Sequence, residues 1–589
     1  MILIVGGTTE GRMAAEVCDA AGTSFYYSTK GAEQDVALLH GERLTGAMDE
    51  AAMARFCAEH QVRIIVDAAH PFASAVHATI ARQGLPVIRL QRRFSAPVEG
   101  VVYCADWDDA ILQMRQKGVR RLLALSGVNT IAPLRPFWQV TETYFRILNR
   151  PASLEMAASQ GVPTQRLLFH PDDPNLKLAR PTQEQECRLM QQVGCDAILT
   201  KESGDAGGFQ DKVQAALALG LQVFVVRHPE LPSEWIYVTG RHGLRRAIEQ
   251  VLPDFFPLRT GLTTGACATA AVKAALLSLL HDVCPEEVSI ALPDDEEVTV
   301  PVQVEERGVA SVVKDFSDDP DVTRGCRITA RVEPGRQGIR FLQGEGVGRV
   351  TLPGLGLPVG EPAINLVPRR MMQAEIRSLT TSDIDVTLSV EHGRELAQRT
   401  FNPRVGVVDG ISIIGTSGIV SPLSNEAFVQ SIQRELQVAK AIGCDTIGLA
   451  SGKRGEEALM SHYPTLRVIH YGNLVGETLR QAHQLGFRHV VLGILIGKAV
   501  KLAEGHLDTH SHKVTMNPHF LRDLALSCGT QAAPAGGWDA PFLARELWQC
   551  MPSSFFQALH RLCLQHCRTV FPSGDIEIHI LCDEQRSGS

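Results

Sequence analysis

Four stretches in the first 260 residues place glycines or polar side chains where they could bind anions or move protons. An apolar run, Ile2 to Val5, leads into Gly6, Gly7, Thr8, Thr9, Glu10 and Gly11, and a helical pattern starts near Arg12. Glycine permits close backbone approach, and the first amides of a helix lack intrahelical acceptors, so this turn suits a pyrophosphate; a tight strand-to-helix turn needs the same residues. The next strand-like run ends at Ser28, Thr29 and Lys30, where a site selective for NADH often carries a carboxylate for the ribose hydroxyls. A hydroxyl and a cation there suit a 2′-phosphate, which favours NADPH over NADH. DAAHPFA places Asp67, His70 and Pro71 just past an apolar strand, with His70 a candidate proton donor or carboxylate ligand. KESGDAGGFQDK, from Lys201 through Ser203, Gly204, Gly207 and Gly208 to Lys212, makes another anion cradle. Further on, RTGLTTGACATAAVKAAL sets Thr263 and Thr264 between glycines ahead of a helix, an arrangement for a carboxylate or for simple helix capping.

The elements that must hold these residues alternate. MILIVGG, SFYYSTKG and VRIIVDAAHP are separated by helical patterns, and a second round begins at VRRLLALSG and includes CDAILTKESG and LQVFVVRHP. Such alternation implies parallel sheets covered by helices, hence two Rossmann-like lobes with a cleft between them. VLPDFFPL, with two prolines after an amphipathic segment, marks a boundary. Beyond it VSIALP, EVTVPVQVEE and CRITARV show β-type alternation, and from RVGVVDG the strand-helix rhythm returns through CDTIGLASG, LRVIHYGN and HVVLGILIG to a last strand at DIEIHILC. The expected fold class is α/β. Residues 1–254 form lobes of about 1–100 and 101–250; residues 255–589 form a β-rich α+β lobe of about 258–402 and a doubly wound α/β lobe of 403–589.

Composition bounds the function. A chain of 589 residues with 44% hydrophobic and 21% charged residues is several folded domains, not a disordered chain. Its net charge of −8, without a long basic run, argues against nucleic acid as a partner. No unbroken apolar run approaches membrane-span length, so no membrane partner is expected and a cytoplasmic location is. The 14 cysteines, from Cys18 to Cys582, form no C-x-x-C pair and read as reduced thiols. Cys563, His566 and Cys567 share a helical face, where core packing is favoured over metal binding.

ILIVGGTTEGR, VDAAHPFA, IRLQR, TKESGDAGGFQDK and VFVVRHP together resemble the precorrin-6A reductase family, CobK or CbiJ, over about residues 1–250. The resemblance implies nicotinamide-dependent reduction of one double bond of a corrin precursor. Because that macrocycle carries many carboxylates, Arg89, Arg92, Arg93 and Lys201 become candidate clamps, with Ser203 beside them. RTGLTTGACATAAVKAAL, DDPDVTRG, GEGVGRVTLPGLGLPVGEPAINLVPRRMM, NPRVGVVDGISIIGTSGIVSPLS and LGILIGKAVKLAEGHLDTHSH, in that order, resemble the CbiD family over about residues 258–515. That implies methyl transfer from S-adenosylmethionine to carbon 1 of cobalt-precorrin-5B. GILIGK departs from the usual G-H-I-G-K form, with Ile494 and Leu495 where a single histidine is usual.

On this resemblance Gly415, Thr416, Ser417 and Gly418, with Gly472 and Asn473, are candidate S-adenosylmethionine contacts. Arg369, Lys498 and Lys501, with Thr263 and Thr264, are candidates for substrate carboxylates, and Asp508 and His510 for proton handling. His510 and His512 are not read as a metal site, since the cobalt arrives inside the macrocycle. The expectation is a fusion of two consecutive cobalamin-pathway enzymes in reverse chain order, acting on cobalt-precorrin-5B and cobalt-precorrin-6A, with homo-oligomerisation left open. The competing reading is a dinucleotide-sensing regulatory protein with a non-catalytic second module.

Overall fold

The computed structural model describes residues 1–31, 36–92, 94, 96–169, 181–204, 208–315, 317–422, 425–511 and 513–581. Arg93, Gly207, His512 and Cys582 lie outside the described residues. Contacts divide the chain into two compact units, residues 1–259 with 295–298, and residues 260–294 with 299–589.

The first unit contains two parallel six-stranded sheets. Five strands of the first sheet are β1 (Ile2–Val5), β2 (Phe25–Thr29), β3 (Gly41–Thr45), β4 (Ile64–Asp67) and β5 (Val87–Gln91). The second is built from β6 (Val101–Cys104), β7 (Arg121–Ala124), β8 (Glu142–Ile147), β9 (Leu167–Phe169), β10 (Ala197–Lys201) and β11 (Gln222–Val226). The central strands β1 and β4 are buried along their whole length, which is why they read as unbroken apolar runs.

The last strand, β12 (Ile236–Thr239), does not close the second sheet. It pairs in parallel with β5, Ile236 opposite Ile88, so the first sheet runs β12-β5-β4-β1-β2-β3 and the second β6-β11-β10-β7-β8-β9. The helix Gly240–Val251 follows it back: Leu244, Ala247, Ile248 and Leu252 pack with Ile2, Ile4, Ala14 and Cys18 in the first core. The expected lobe of 101–250 is therefore corrected, because its last strand and helix complete the other lobe.

In the second unit, a mixed five-stranded sheet runs Gln303–Glu306, Val309–Val313, Arg327–Pro334, Ile384–Val390, Ile339–Gln343, antiparallel except for its last pair. The alanine-rich helix Thr264–His281 packs on this sheet. It has the length and hydropathy of a membrane span, but 72% of that window is buried inside the unit, so it serves as a core helix. Val407–Val408 pairs with Arg349–Val350, and Ile419–Val420 with Gly261–Leu262. Both short strands that follow residue 402 thus pair with segments that precede it.

A parallel four-stranded sheet completes the unit in the order Val468–His470, Thr446–Ala450, His489–Leu495, Asp575–Leu581. Its core includes Cys563 and Cys567, whose thiols are driven up by burial, the latter to about 12; Cys563 donates to the Ala499 carbonyl at 3.3 Å.

Candidate active sites

The turn after β1 is held from within. Thr8 caps the helix Thr9–Asp19, its Oγ1 accepting from Gly11 N at 3.0 Å and donating to the Ala68 carbonyl at 2.7 Å. A Cβ on Gly6 would stand 2.4 Å from the Tyr27 ring, and one on Gly11 would stand 2.8 Å from the Gly6 Cα, so these glycines let helix and strand approach. Gly7 differs: at φ +104° it faces open space, where a Cβ would meet nothing within 4 Å, a cradle into which a dinucleotide phosphate fits. At the end of β2, Thr29 Oγ1 donates to the Gly31 carbonyl at 2.9 Å, so its hydroxyl proton is engaged locally. Lys30 is exposed there, while Arg12 and Arg43 both act electrostatically on Tyr27.

The ends of β4 and β10 meet in one cluster. Lys201 Nζ lies 5.1 Å from the Phe72 ring centroid and 5.6 Å from that of Trp107. Arg92 pairs with Glu10 at 2.9 Å and donates to the Ser203 carbonyl at 3.3 Å, tying the first helix to the loop after β10. Burial pulls the Lys201 ammonium down to about 8. His70 Nδ1 accepts from Phe72 N at 3.2 Å; burial, followed by the charges of Arg92 and Lys201, holds the ring down to about 4. Burial and these neighbouring cations favour the neutral form of the His70 imidazole.

Arg89 is also corrected. It is buried, ion-paired with Asp67 Oδ2 at 2.9 Å and donating to the Ala69 carbonyl at 3.0 Å, so it braces the loop and is not a clamp. The same Asp67 oxygen bonds His77 Nδ1 at 2.9 Å, and Asp67 Oδ1 accepts from Ala69 N. Asp67, His77, Glu10, Phe72 and Trp107 escape sequence reasoning as a group; only their contacts unite them.

In the second unit, Thr263 accepts from Ala266 N at 3.2 Å as a helix cap, and Gly265 N donates to the Ile414 carbonyl. Thr264 Oγ1 accepts from Ile414 N at 2.9 Å. A Cβ on Gly415 would stand 2.2 Å from Thr263 Oγ1, while Thr263 N donates to the Gly418 carbonyl. Gly415 and Gly418 therefore lie against the helix start, where the hydroxyls of Thr263 and Thr264 are engaged, and Ser417 Oγ donates to the Ile419 carbonyl at 2.9 Å. Lys314, fully buried, pairs with Asp321 at 2.9 Å. Burial opposes the Asp321 carboxylate, but Lys314 and the Thr323 donors outweigh it and keep its pKa below the usual value. Arg369 pairs with Glu361 at 2.8 Å and donates to the Ile364 carbonyl at 2.8 Å.

The four-stranded sheet presents a better site. Its three adjacent strands Val468–His470, Thr446–Ala450 and His489–Leu495 lead at their carboxyl ends to Gly472, Gly452 and Gly497, the edge where open parallel sheets bind ligands. Gly472 has φ +59° and a Cβ there would stand 2.8 Å from the Phe428 ring; a Cβ on Gly452 would meet nothing within 4 Å, a cradle that S-adenosylmethionine fits. Lys498 Nζ donates to the Gly472 carbonyl at 2.6 Å and to Asn473 Oδ1 at 2.5 Å, and burial, reinforced by Lys501, brings it down to about 8. Lys501 donates to the Thr509 carbonyl at 3.3 Å, and Thr509 N donates to the Asn473 carbonyl at 2.9 Å. Gly472, Asn473, Lys498, Lys501 and the Asp508–His510 loop are thus brought together. Asp508 accepts from Lys513 at 2.8 Å and from His510 N; these donors outweigh burial and keep it a carboxylate. Ser451 and Gly452, missed from sequence, carry the signal of a small Ser-Gly pair directly after an apolar strand.

A family model described as precorrin-6x reductase CbiJ/CobK matches residues 1–250, and the CbiD model matches residues 253–422. The cobalt-precorrin-5B C(1)-methyltransferase of Prosthecochloris aestuarii is 43% identical over 356 residues, covering 56% of this chain and 96% of that protein. The protein of the same description from Geobacillus sp. (strain WCH70) is 38% identical over 323 residues, covering 53% of this chain and 88% of its own length. A solved CobK precorrin-6A reductase is 19% identical, covering 43% of this chain and 97% of that chain with a TM-score of 0.34. The chain therefore belongs to the CbiD family of cobalt-precorrin-5B C(1)-methyltransferases, fused at its amino-terminal side to a precorrin-6x reductase of the CbiJ/CobK family.

Proposed function

We propose that the chain catalyses two consecutive steps of corrin-ring assembly, methylation of carbon 1 of cobalt-precorrin-5B and then reduction of the resulting cobalt-precorrin-6A to cobalt-precorrin-6B. What carries the reading is the match to 96% of a methyltransferase of that description in a chain whose residues 1–250 match a reductase family. When bound, S-adenosylmethionine supplies the methyl group and NADPH the hydride. Methyl transfer to carbon is an in-line displacement, so this chain's contribution is alignment and exclusion of water. Lys498 fixes Gly472 and Asn473, which orient the donor, and the Asp508–His510 loop lies against them. In the reductase, the Gly6–Gly11 turn seats the pyrophosphate. Preference for NADPH over NADH is supported by the exposed cation Lys30 at the end of β2.

Covalent linkage keeps the second site at a high effective concentration for the product of the first. Cytoplasmic action accords with the cysteines, each of which is a free thiol among the described residues. The test is mass spectrometry of the macrocycle after incubation with the full chain. One methyl group is gained with S-adenosylmethionine, and two hydrogens are added once NADPH is present; a macrocycle unchanged by either addition contradicts the reading.

A further inference from the structure

We propose that Lys201 is the proton donor of the reduction, delivering from Nζ the proton that accompanies hydride transfer. The inference rests on the reductase reading of residues 1–259. Reducing a carbon-carbon double bond adds hydride, with both electrons, from the dihydronicotinamide to one carbon and a proton to its neighbour. The nicotinamide is oxidised, the lysine is left as a neutral amine, and solvent returns its proton.

A donor must stand at the ligand edge of the sheet and hold a transferable proton at working pH. Lys201 ends β10, at the carboxyl edge, and Arg92 crosses to the Ser203 carbonyl two residues further on. Its ammonium is flanked by Phe72 and Trp107, apolar walls that shed water while their faces attract the cation. The Phe72 wall is itself braced: the buried Asp67, Arg89 and His77 group holds the preceding loop, and His77 Nε2 bonds the His70 carbonyl at 3.1 Å.

Among the described residues, the nearby carboxylates are engaged elsewhere. Glu10 is paired with Arg92, and Glu202 lies 3.8 Å from His228 Nε2 and accepts from its backbone amide. Asp109, beside Trp107, accepts from Ala105 N, and Asp108 is exposed. Among the described residues no carboxylate pairs with Lys201. His70, the alternative, has its Nδ1 occupied by the Phe72 amide. It would have to give up its only remaining ring proton as a neutral imidazole. Burial leaves Lys201 titrating at about 8, close to a working pH, where general acids perform best.

The competing role is a carboxylate clamp, and Lys201→Arg separates the two. Arginine keeps the charge but does not release a proton in this range. For a donor, kcat of reduction falls by about 10²- to 10⁴-fold in Lys201→Arg, with NADPH affinity kept. The unsubstituted full chain loses rate as pH rises through about 8, a limb absent from Lys201→Arg but present in His70→Asn. A Lys201→Arg enzyme with kcat within about threefold of the original and a raised KM overturns the assignment in favour of a clamp. An unchanged alkaline limb in that variant, or a limb lost only in His70→Asn, overturns it as well. If the unsubstituted chain fails to oxidise NADPH with the precorrin substrate, the reductase reading falls with it; reduction retained by Lys201→Arg overturns the lysine assignment alone.

Discussion

Asp67 and Arg89 form a 2.9 Å ion pair from which water is shut out, with Arg89 3% exposed and Asp67 0%. Breaking such a pair by removing one partner leaves an uncompensated buried charge and costs about 3–5 kcal/mol. Arg89→Met is therefore expected to lower the unfolding transition of residues 1–259 by that amount in denaturant titration of the full chain. An unchanged midpoint would show that Arg89 is solvated and free to meet substrate.

The two glycine turns give separable losses. Gly7 at φ +104° and Gly472 at φ +59° occupy backbone regions that cost a residue with a side chain about 1–3 kcal/mol. Gly7→Ala should weaken NADPH binding about tenfold or more and leave methyl transfer intact. Gly472→Ala, whose Cβ would also press on Phe428, should do the reverse. Independent assays of the two reactions check this, and parallel loss of both activities in either variant would contradict it.

Selectivity between nicotinamides is expected to depend on Lys30 and not on Thr29, whose hydroxyl is engaged by Gly31. Lys30→Glu should raise KM for NADPH about tenfold while changing KM for NADH little, since only the former carries the extra phosphate. Thr29→Ala should leave the ratio where it was.

Lys498 links methyl transfer to pH. Its ammonium holds the Gly472 and Asn473 loop but is brought down to about 8, so S-adenosylmethionine affinity should fall as pH rises through that value. Stability moves the other way. Between about 8 and the ordinary lysine value the unfolded chain binds more protons, so this group's contribution to stability rises with pH across that window. Lys498→Met should weaken donor binding about tenfold and remove its alkaline decline, measured by calorimetric titration.

Features settled by neighbours in the chain are legible in the sequence. Gly6, Gly7 and Gly11 announce their turn because strand, turn and helix are contiguous, and β1 and β4 read as buried strands from their apolar runs alone. The return of β12 to β5 is not legible, since no local signal says which of two similar sheet edges Ile236–Thr239 will join. Charge is the other blind spot. Arg89 looks like a surface clamp until Asp67 is found against it, and no local signal announces Glu361 beside Arg369 or Phe72 and Trp107 beside Lys201. Thr263 and Gly415 carry motif chemistry that packing spends on one helix start.

The most direct measurement follows NADPH oxidation by the full chain with cobalt-precorrin-5B as the sole macrocycle. Two coupled activities predict no oxidation until S-adenosylmethionine is added, and then one NADPH consumed for each methyl group transferred. NADPH oxidation without the methyl donor, or methylation with no oxidation following, would contradict two consecutive steps in one chain.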